Sequence, residues 1–461
     1  MDKQTTTPSL LLSPCFYGFF LLIAFETLTS LSSRSIPSFA GDVSPTMLRL
    51  SLSALAFLAV SVLSRRLFPL KDRHGLARLA VAGCFLGGLS VLFRSYLPAE
   101  TQLIVPVIGI VLVGALLPVL KLYWLELYAT LDMLHVAVTF SLSQVLSSLA
   151  IVCFSALDAN ALILALTALF PPLSMAAYRR ALVQREEMPL IQGETVSAQW
   201  AFPFKPIVVI GLFAATNTIV RSCLPVGSRG YAALGVAAIM VPVLLVIMRR
   251  PVSFDARMLA SVAFPLMAAG PLCLIMGLSD IGALCTNAAY ATFTLFVVVA
   301  LCATTFRYGA NPLWLFGIAF GAADAGKALA TAAESIAIPL FHSPGALCIM
   351  AMVIIVLFAL VMAERNLDTW GVSLKREPAG APTAATLDNL VDRCMRLARI
   401  RGLTRREEEI LFLLAKGDNP TSIADQLFIA ESTARVHVKH VYAKLGVHSK
   451  QELQHLVERG R

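Results

Sequence analysis

The chain has 461 residues, of which 57% are hydrophobic and only 14% are charged, and its formal net charge is +9. An ordinary soluble protein carries about 25% charged residues, so this composition excludes a purely soluble protein. Apolar runs fill the chain up to Ala363, whereas the residues from Glu364 onward are rich in Arg, Lys and Glu. We therefore expect two domains in two solvents: a polytopic membrane domain at 1–363 and, after a linker at 364–385, a soluble domain at 386–461.

The apolar part is divided into segments of membrane-spanning length. A transmembrane helix needs about 20 predominantly apolar residues, and the sequence contains about twelve such runs. They predict an all-α fold class, a polytopic membrane helix bundle of about 12 transmembrane helices. The runs lie at 10–30, 45–64, 76–93, 101–120, 133–155, 159–178, 206–223, 230–248, 258–278, 281–306, 312–333 and 345–363.

The distribution of Lys and Arg predicts the orientation, because short cytoplasmic loops collect these residues. One set of alternate loops holds few of them: Arg34, Arg94, Arg221 and Arg229. With an even number of helices, this bias puts the N-terminus and the C-terminal domain in the cytoplasm of a bacterium, with the bundle in the inner (cell) membrane. The basic set of loops holds Arg65, Arg66, Lys71, Arg73 and Arg78, then Lys121, then Arg179, Arg180, Arg185 and Lys205, then Arg249, Arg250 and Arg257, then Arg307.

The longest polar connection in the membrane part, 179–204, separates two sets of six runs. The loop between the second and third runs reads Asp72-Arg73-His74-Gly75, with Arg78 three residues on. It resembles the loop motif G-x-x-x-D-R-x-G-R-R of the major facilitator superfamily of transporters, although Phe68 replaces the leading glycine and Leu76-Ala77 replace the basic pair. The resemblance implies a similar membrane fold. The alternative is a basic inner loop that simply follows the positive-inside rule.

Ionisable residues inside the apolar runs are the candidates for a ligand site, because such groups are costly in a bilayer. Asp324 and Lys327 lie three residues apart on one helix face and could neutralise one another. A purely structural ion pair is the alternative. The other candidates for a central cavity are Glu334 on the same run, Asn217 and Arg221 in the seventh run, and Glu26 in the first.

After the linker, the region 386–400 predicts a short amphipathic helix that could pack on the final domain or pair with a second chain. Thr404-Arg405-Arg406-Glu407 then forms a capping box at the start of a helix that ends at Gly417. A second helix starts at Asn419-Pro420, a third runs from the cap Ser432 to Leu445, and a fourth spans 449–457. Short helices joined by a tight turn favour a small four-helix domain that contains a helix-turn-helix.

The third helix of this domain has a core face and an outer face. Val438, Val441 and Leu445 share the core face. Arg435, Val436 and Lys439 fall on another side, from which they could reach the base edges of double-stranded DNA. The lysines Lys444, Lys416 and Lys450 suit phosphate contacts, where a point charge suffices.

The whole ordered string resembles the DNA-binding domain of LuxR/NarL-type regulators over about the last 60 residues. This likeness implies that Thr433 and Lys444 contact phosphate, that Arg435, Val436 and Lys439 enter the major groove, and that the 449–457 helix forms a homodimer. Ala434 and Ser422 depart from the usual family residues. The residues that carry the likeness are 403–407, Gly417, Ile423-Ala424, 427–429, Ser432-Thr433, 437–439 and 444–447.

No enzyme constellation is present in the sequence: it has no phosphate-binding glycine loop, no zinc-helix motif and no nucleophile elbow. The nine cysteines lie mostly inside apolar runs without metal-ligand spacing, so we predict no metal, no cofactor and no catalytic site. The hypothesis is a membrane-bound one-component transcription regulator that senses a small molecule or a membrane signal and binds promoter DNA. The alternatives are a secondary transporter with an attached DNA-binding domain, and a C-terminal domain that docks protein instead of DNA.

Overall fold

The computed structural model describes residues 12–33, 36, 44–156, 161–186, 204–224, 231–249, 256–308, 310–341, 394, 397–398, 401–416, 423–424, 431–447, 452–453 and 456–457. The chain divides into two compact units, Met1–Ser373 and Leu374–Arg461. The division falls within the predicted linker, whose residues lie outside the described ranges.

The described residues of the first unit form helices, which confirms the predicted all-helical membrane class. Twelve of these helices are numbered here α1 to α12; a single turn at Ser64–Leu67 is left unnumbered. Their bounds are α1 Phe19–Ser33, α2 Pro45–Val62, α3 His74–Leu92, α4 Ile104–Tyr128, α5 Met133–Ala156, α6 Ala161–Ala168, α7 Phe170–Glu186, α8 Phe204–Ser222, α9 Tyr231–Arg249, α10 Ala256–Ile275, α11 Ser279–Tyr308 and α12 Pro312–Phe341.

Ten spans among the described residues are long and apolar enough to cross a membrane. The α6 and α7 helices together make one of these spans, Ala161–Arg185. The seventh predicted run corresponds to α8, whose apolar part, Ile207–Ser222, is shorter than the others. The twelfth predicted run, 345–363, lies outside the described residues.

Several helices extend beyond the predicted runs and contain basic residues that were predicted to lie in loops, including Lys121, Arg180 and Arg307. The α4 helix ends at Tyr128, so Lys121 lies inside a helix and not in a cytoplasmic loop. The α7 helix continues to Glu186, so that Arg185 lies in its last turn and not in the polar connection. Long-range partners stabilise both extensions: Lys121 pairs with Glu26, and Arg185 donates to the carbonyl of Thr130 at 2.8 Å.

Many polar side chains on these helices form hydrogen bonds within the protein, as a lipid environment favours. Ser44 caps α2 by accepting from the Met47 amide at 3.1 Å, and Asn311 accepts from Leu313 at the start of α12 at 2.9 Å. Inside α11, the hydroxyls of Thr286 and Thr292 each donate to the carbonyl four residues earlier, at 2.8 Å.

The α12 helix packs closely against α2 and α8 because glycines remove side chains from both contacts. A Cβ added at Gly326 would lie 2.2 Å from the carbonyl oxygen of Gly211 on α8, and one at Gly317 would lie 2.8 Å from that of Phe57 on α2. Phe57 also stacks on Phe320, with 5.7 Å between ring centroids. These contacts set the middle of α12 directly against α2 and α8.

The second unit has a hydrophobic core of its own. Its first described helix, α13, spans Arg405–Lys416, and a second, α14, spans Glu431–Leu445. The α14 helix begins one residue before the predicted cap Ser432, and it ends at Gly446 as predicted, where φ is +70°. The core joins residues of all predicted helices: Leu397, Ile410, Leu414, Ile423, Val441, Leu445, Leu453 and Val457.

The glycine contact between α8 and α12 yields a matched pair of variants. We expect Gly326→Ala to lower the free energy of unfolding by about 1–3 kcal/mol, because its methyl group overlaps a backbone carbonyl that has little freedom to shift. A thermal melt of the detergent-purified protein measures the loss.

The control is Gly75→Ala on α3, where an added Cβ meets nothing within 4 Å. This variant should melt within about 0.5 kcal/mol of the natural protein. Equal melting temperatures for the two variants would contradict the close packing of α8 on α12.

Candidate functional site

The first group of buried charges is centred on Glu26 of α1. Its carboxylate accepts from Arg49 Nη1 of α2 at 3.3 Å and from Lys121 Nζ of α4 at 2.5 Å. The side chains of Arg49, Lys121 and Glu26 are 8%, 12% and 20% exposed. Glu26 therefore connects three helices of the first half of the bundle.

The second group is centred on Asp324 of α12, whose side chain is 5% exposed. Lys327 Nζ lies 2.9 Å from Asp324 Oδ1, and Ser53 of α2 donates to Oδ2 at 2.6 Å. The same Lys327 ammonium lies 5.2 Å from the ring centroid of Tyr290 on α11, in a cation–π contact. Asp324 and Lys327 thus neutralise one another, and they also tie α12 to α2 and α11.

The two groups adjoin, because Arg49, which pairs with Glu26, and Ser53, which donates to Asp324, lie one turn apart on α2. We call the five ionisable residues together the membrane charge cluster. It joins four helices, α1, α2, α4 and α12, which belong to both halves of the bundle. Its members are Glu26, Arg49, Lys121, Asp324 and Lys327.

The remaining predicted ligand residues lie at different distances from this cluster. Asn217 of α8 is buried and donates to the carbonyl of Thr286 at 3.3 Å, one turn before Tyr290 on α11. Arg221 lies in the last turn of α8, half-buried and one turn from Asn217. Glu334 is also half-buried, and ten residues of helix place it about 15 Å along α12 from Asp324.

Sequence reasoning missed four contributors: Arg49, Lys121, Ser53 and Tyr290. Arg49 sits inside an apolar run, so the rule that selected Asp324 would also have found it. Lys121 was assigned to a loop, and nothing local marks Ser53 or Tyr290. Only the packing of distant helices reveals their roles.

A small apolar cavity adjoins the charges. Tyr290 belongs to both features, since its ring lies under Lys327 and also lines the cavity. Ala323, the neighbour of Asp324, lines the cavity as well. The rest of the wall is mostly apolar or aromatic, with Thr294 beside Ile210, Phe293, Val297 and Phe320.

The loop between α2 and α3 is fastened to the end of α4. Glu126 is buried and accepts from the Leu70 amide at 3.0 and 3.2 Å, and the Tyr123 hydroxyl donates to the carbonyl of Arg73 at 2.8 Å. The buried Glu126 carboxylate therefore holds this loop against the last turn of α4.

In the second unit, α14 is amphipathic as predicted. Val441 and Leu445 are buried at 0% and 3% exposure, whereas Val436 is 52% exposed. Arg435 and Lys439 are exposed on the side that carries Val436. We call these three residues the recognition face; Thr433 at the start of α14 is exposed as well.

The three lysines predicted to contact phosphate are in different situations. Lys444 Nζ pairs with Glu407 at 2.6 Å and lies 3.3 Å from the carbonyl of Gly402, and its side chain is 38% exposed. Lys416 is the last residue of α13, but its side chain lies outside the described residues, as does all of Lys450. Lys444 therefore has a structural contact besides any role toward DNA.

Glu407 holds the start of α13 and the end of α14 together. The capping box forms as predicted: the Thr404 amide donates to Glu407 Oε2 at 2.8 Å, and the Glu407 amide donates to Thr404 Oγ1 at 3.4 Å. The hydrogen bond from Lys444 and the one from the Thr404 amide lower the pKa of Glu407 to about 2. The Glu407 side chain is 6% exposed, whereas that of Lys444 is 38% exposed, so the pair lies at the edge of the domain.

Neutralising Asp324 tests the ion pair of α12. We expect Asp324→Asn to destabilise the detergent-purified protein by about 3 kcal/mol, because Lys327 keeps its charge without a counter-charge. The double variant Asp324→Asn/Lys327→Met should recover part of this loss in a thermal melt.

The matched control is Asp280→Asn, at an exposed position in the first turn of α11, which should melt like the natural protein. A double variant less stable than Asp324→Asn would show that the two residues do not act as a pair.

The depressed pKa of Glu407 makes the stability of the C-terminal domain depend on pH. Because the folded-state pKa of about 2 lies below the ordinary value of 4.5, the stabilisation is complete above pH 4.5 and is lost as the pH falls toward 2. At neutral pH, Glu407→Gln should lower the free energy of unfolding of a 386–461 fragment by about 1–3 kcal/mol and flatten its acid dependence. Urea titrations between pH 2 and pH 7 measure both effects.

Glu409→Gln is the control for Glu407→Gln. Glu409 pairs with Arg406 at 2.7 Å, but the two side chains are 41% and 36% exposed, so its loss should change stability by less than about 0.5 kcal/mol. Similar effects for the two variants would refute the assignment of Glu407 as the link between α13 and α14.

Comparison with known proteins gives a different match for each of the two units. Residues 401–457 match the family described as bacterial regulatory proteins, luxR family. The oxygen regulatory protein NreC of Staphylococcus aureus, in strains JH9 and USA300, is 47% identical over 51 residues. The match covers 11% of this chain and 24% of NreC, so the chain spans about a quarter of the length of the curated relatives it matches.

A structural comparison also gives a match that covers 75% of this chain. The neighbour is a major facilitator superfamily transporter, FucP in the outward conformation, with a TM-score of 0.47, 13% sequence identity and 97% of its chain covered. The capping box, the buried core and the amphipathic α14 agree with the family match at 401–457. The C-terminal part of this chain is a helix-turn-helix domain of the luxR family of bacterial regulatory proteins.

Proposed function

We propose that this protein is a membrane-bound one-component transcription regulator, whose helical bundle senses a small molecule or a membrane signal and whose C-terminal domain binds promoter DNA. The observation that carries the proposal is a luxR-family helix-turn-helix in the same chain as ten spans, counted among the described residues, that are long and apolar enough to cross a membrane. The bundle would lie in the bacterial inner membrane with the N-terminus and the C-terminal domain in the cytoplasm, where DNA is.

The recognition face supports the DNA-binding role. Arg435 and Lys439 lie one turn apart on α14 and are exposed, and Val436 between them offers an apolar contact of the kind that thymine methyl groups favour. Thr433, Lys416, Lys444 and Lys450 would contact phosphates. The Lys444–Glu407 pair would fix the angle between α13 and α14 and so present the recognition face in one orientation.

The 449–457 helix would form the homodimer with only part of its surface. Leu453 and Val457 are 0% and 1% exposed because they pack into the core of their own domain. Dimer contacts would therefore come from the opposite, outward side of this helix, where Glu452 is exposed. Two-fold pairing of this kind would match a palindromic operator.

The membrane charge cluster is the proposed sensing site, together with Asn217, Arg221 and Glu334. Its ion pairs connect α1 to α2 and α4, and the hydrogen bond from Ser53 to Asp324 connects α2 to α12. A ligand that changes one partner would alter several helix contacts together. A ligand shifts the equilibrium between two arrangements of the helices only if it binds one of them more tightly than the other. That shift would then change how the DNA-binding domains pair.

DNA binding by a 386–461 fragment tests the proposal. We expect Arg435→Ala and Lys439→Ala each to weaken binding to the operator by about 1–3 kcal/mol without unfolding the fragment, because both side chains are exposed and outside its core. The affinity of the unaltered fragment should also fall steeply with salt, since phosphate contacts release counterions. Genome-wide crosslinking supplies the operator, and fluorescence anisotropy gives the affinities.

Arg406→Ala removes the same charge from α13, where Arg406 is paired with Glu409, and should bind DNA nearly as the natural fragment does. If the recognition-face variants bind DNA as well as this control, or if reporter fusions place the C-terminus outside the cell, the proposed function is wrong.

A further inference from the structure

We infer that the sensing site binds a small organic anion, a monocarboxylate with an apolar body, whose charge completes the membrane charge cluster. This inference deepens the proposed function and rests on it. It is drawn from the charge count of the cluster, from an unused buried donor and from the apolar cavity beside Tyr290.

The cluster holds more positive than negative charge. Three cations, Arg49, Lys121 and Lys327, face two carboxylates, those of Glu26 and Asp324. The five side chains are 5–21% exposed, so water screens them poorly. One cation is in excess in a low-dielectric surrounding, where an uncompensated charge is costly. One monovalent anion would balance the charges.

Arg49 has a hydrogen-bond donor that its partner Glu26 does not accept from. Its Nη1 donates to Glu26, but its Nε is buried and has no acceptor among the described residues. The Arg49 side chain is 8% exposed, so bulk water has little access to this donor. Guanidinium donors form a planar fork that matches a carboxylate, which makes an oxygen anion the fitting acceptor.

The cavity next to the cluster limits the size of the rest of the ligand. Tyr290 contacts the Lys327 ammonium and also lines the cavity, whose volume of about 20 Å³ holds a group the size of one water molecule. A monocarboxylate with its charge toward the surplus cation would place a methyl or ethyl group there, whereas the ring of an aromatic acid is too large. A neutral ligand of the same shape would leave the excess charge in place, and a cation would add to it.

Binding to the full-length protein in detergent tests this inference. The probes are acetate and propionate, each compared with its uncharged amide, acetamide and propionamide. Isothermal titration calorimetry and melting temperatures should show that at least one carboxylate binds and stabilises the protein, and that its amide binds about tenfold or more weakly.

Two variants at one position separate charge from structure. Arg49→Lys keeps the charge and should keep the preference for the carboxylate. Arg49→Met leaves two cations and two carboxylates, so it should fold while losing about tenfold or more of the carboxylate affinity. Arg249→Gln removes an exposed cation in the last turn of α9 and should bind the probes like the natural protein.

The inference is overturned if amides bind as well as carboxylates, if no carboxylate binds, or if Arg49→Met keeps full carboxylate affinity. The same protein preparation is assayed for operator binding. If DNA binding persists while the carboxylates fail, the ligand class is wrong and the regulator proposal stands. If DNA binding fails, the proposed function itself is refuted.

Discussion

A charged side chain inside a bilayer is stable only when an opposite charge or a hydrogen-bond network lies beside it, and this constraint organises the membrane unit. Asp324 satisfies it with Lys327 on its own helix and with Ser53 on another. Glu26 satisfies it with Arg49 and Lys121, each from a different helix. The same contacts that neutralise the charges therefore hold the helices in register. A ligand that enters this network would act on the packing of the bundle directly.

The C-terminal domain depends on the more familiar constraint of an apolar core in water. Its core is completed by residues from every predicted helix, and the pair of the buried Glu407 with Lys444 joins α13 to α14 at its edge. The recognition face remains outside this core, which leaves Arg435, Val436 and Lys439 available for contacts with another molecule. The chain thus combines a membrane unit, which is proposed to sense the signal, with a soluble unit, which is proposed to bind DNA.

The parts of the structure that could be predicted from sequence are those encoded locally. The Asp324–Lys327 pair follows from a spacing of three residues on one helix, and the capping box at Thr404 follows from a four-residue motif. The Glu26–Lys121 pair joins residues 95 positions apart, which no local pattern encodes. Lys121 was even assigned to a loop, because a lysine after an apolar run normally marks a membrane boundary. Its partner in α1 is what makes it stable inside a helix.

The glycine contact between α8 and α12 restricts how the bundle can move. At Gly211 and Gly326 the two backbones touch, with no side chain between them to act as a spacer. A rearrangement that separated these helices would open a gap with nothing to fill it, whereas sliding along the shared groove would keep the backbones in touch. Shear along this pair is consequently the motion that the packing permits.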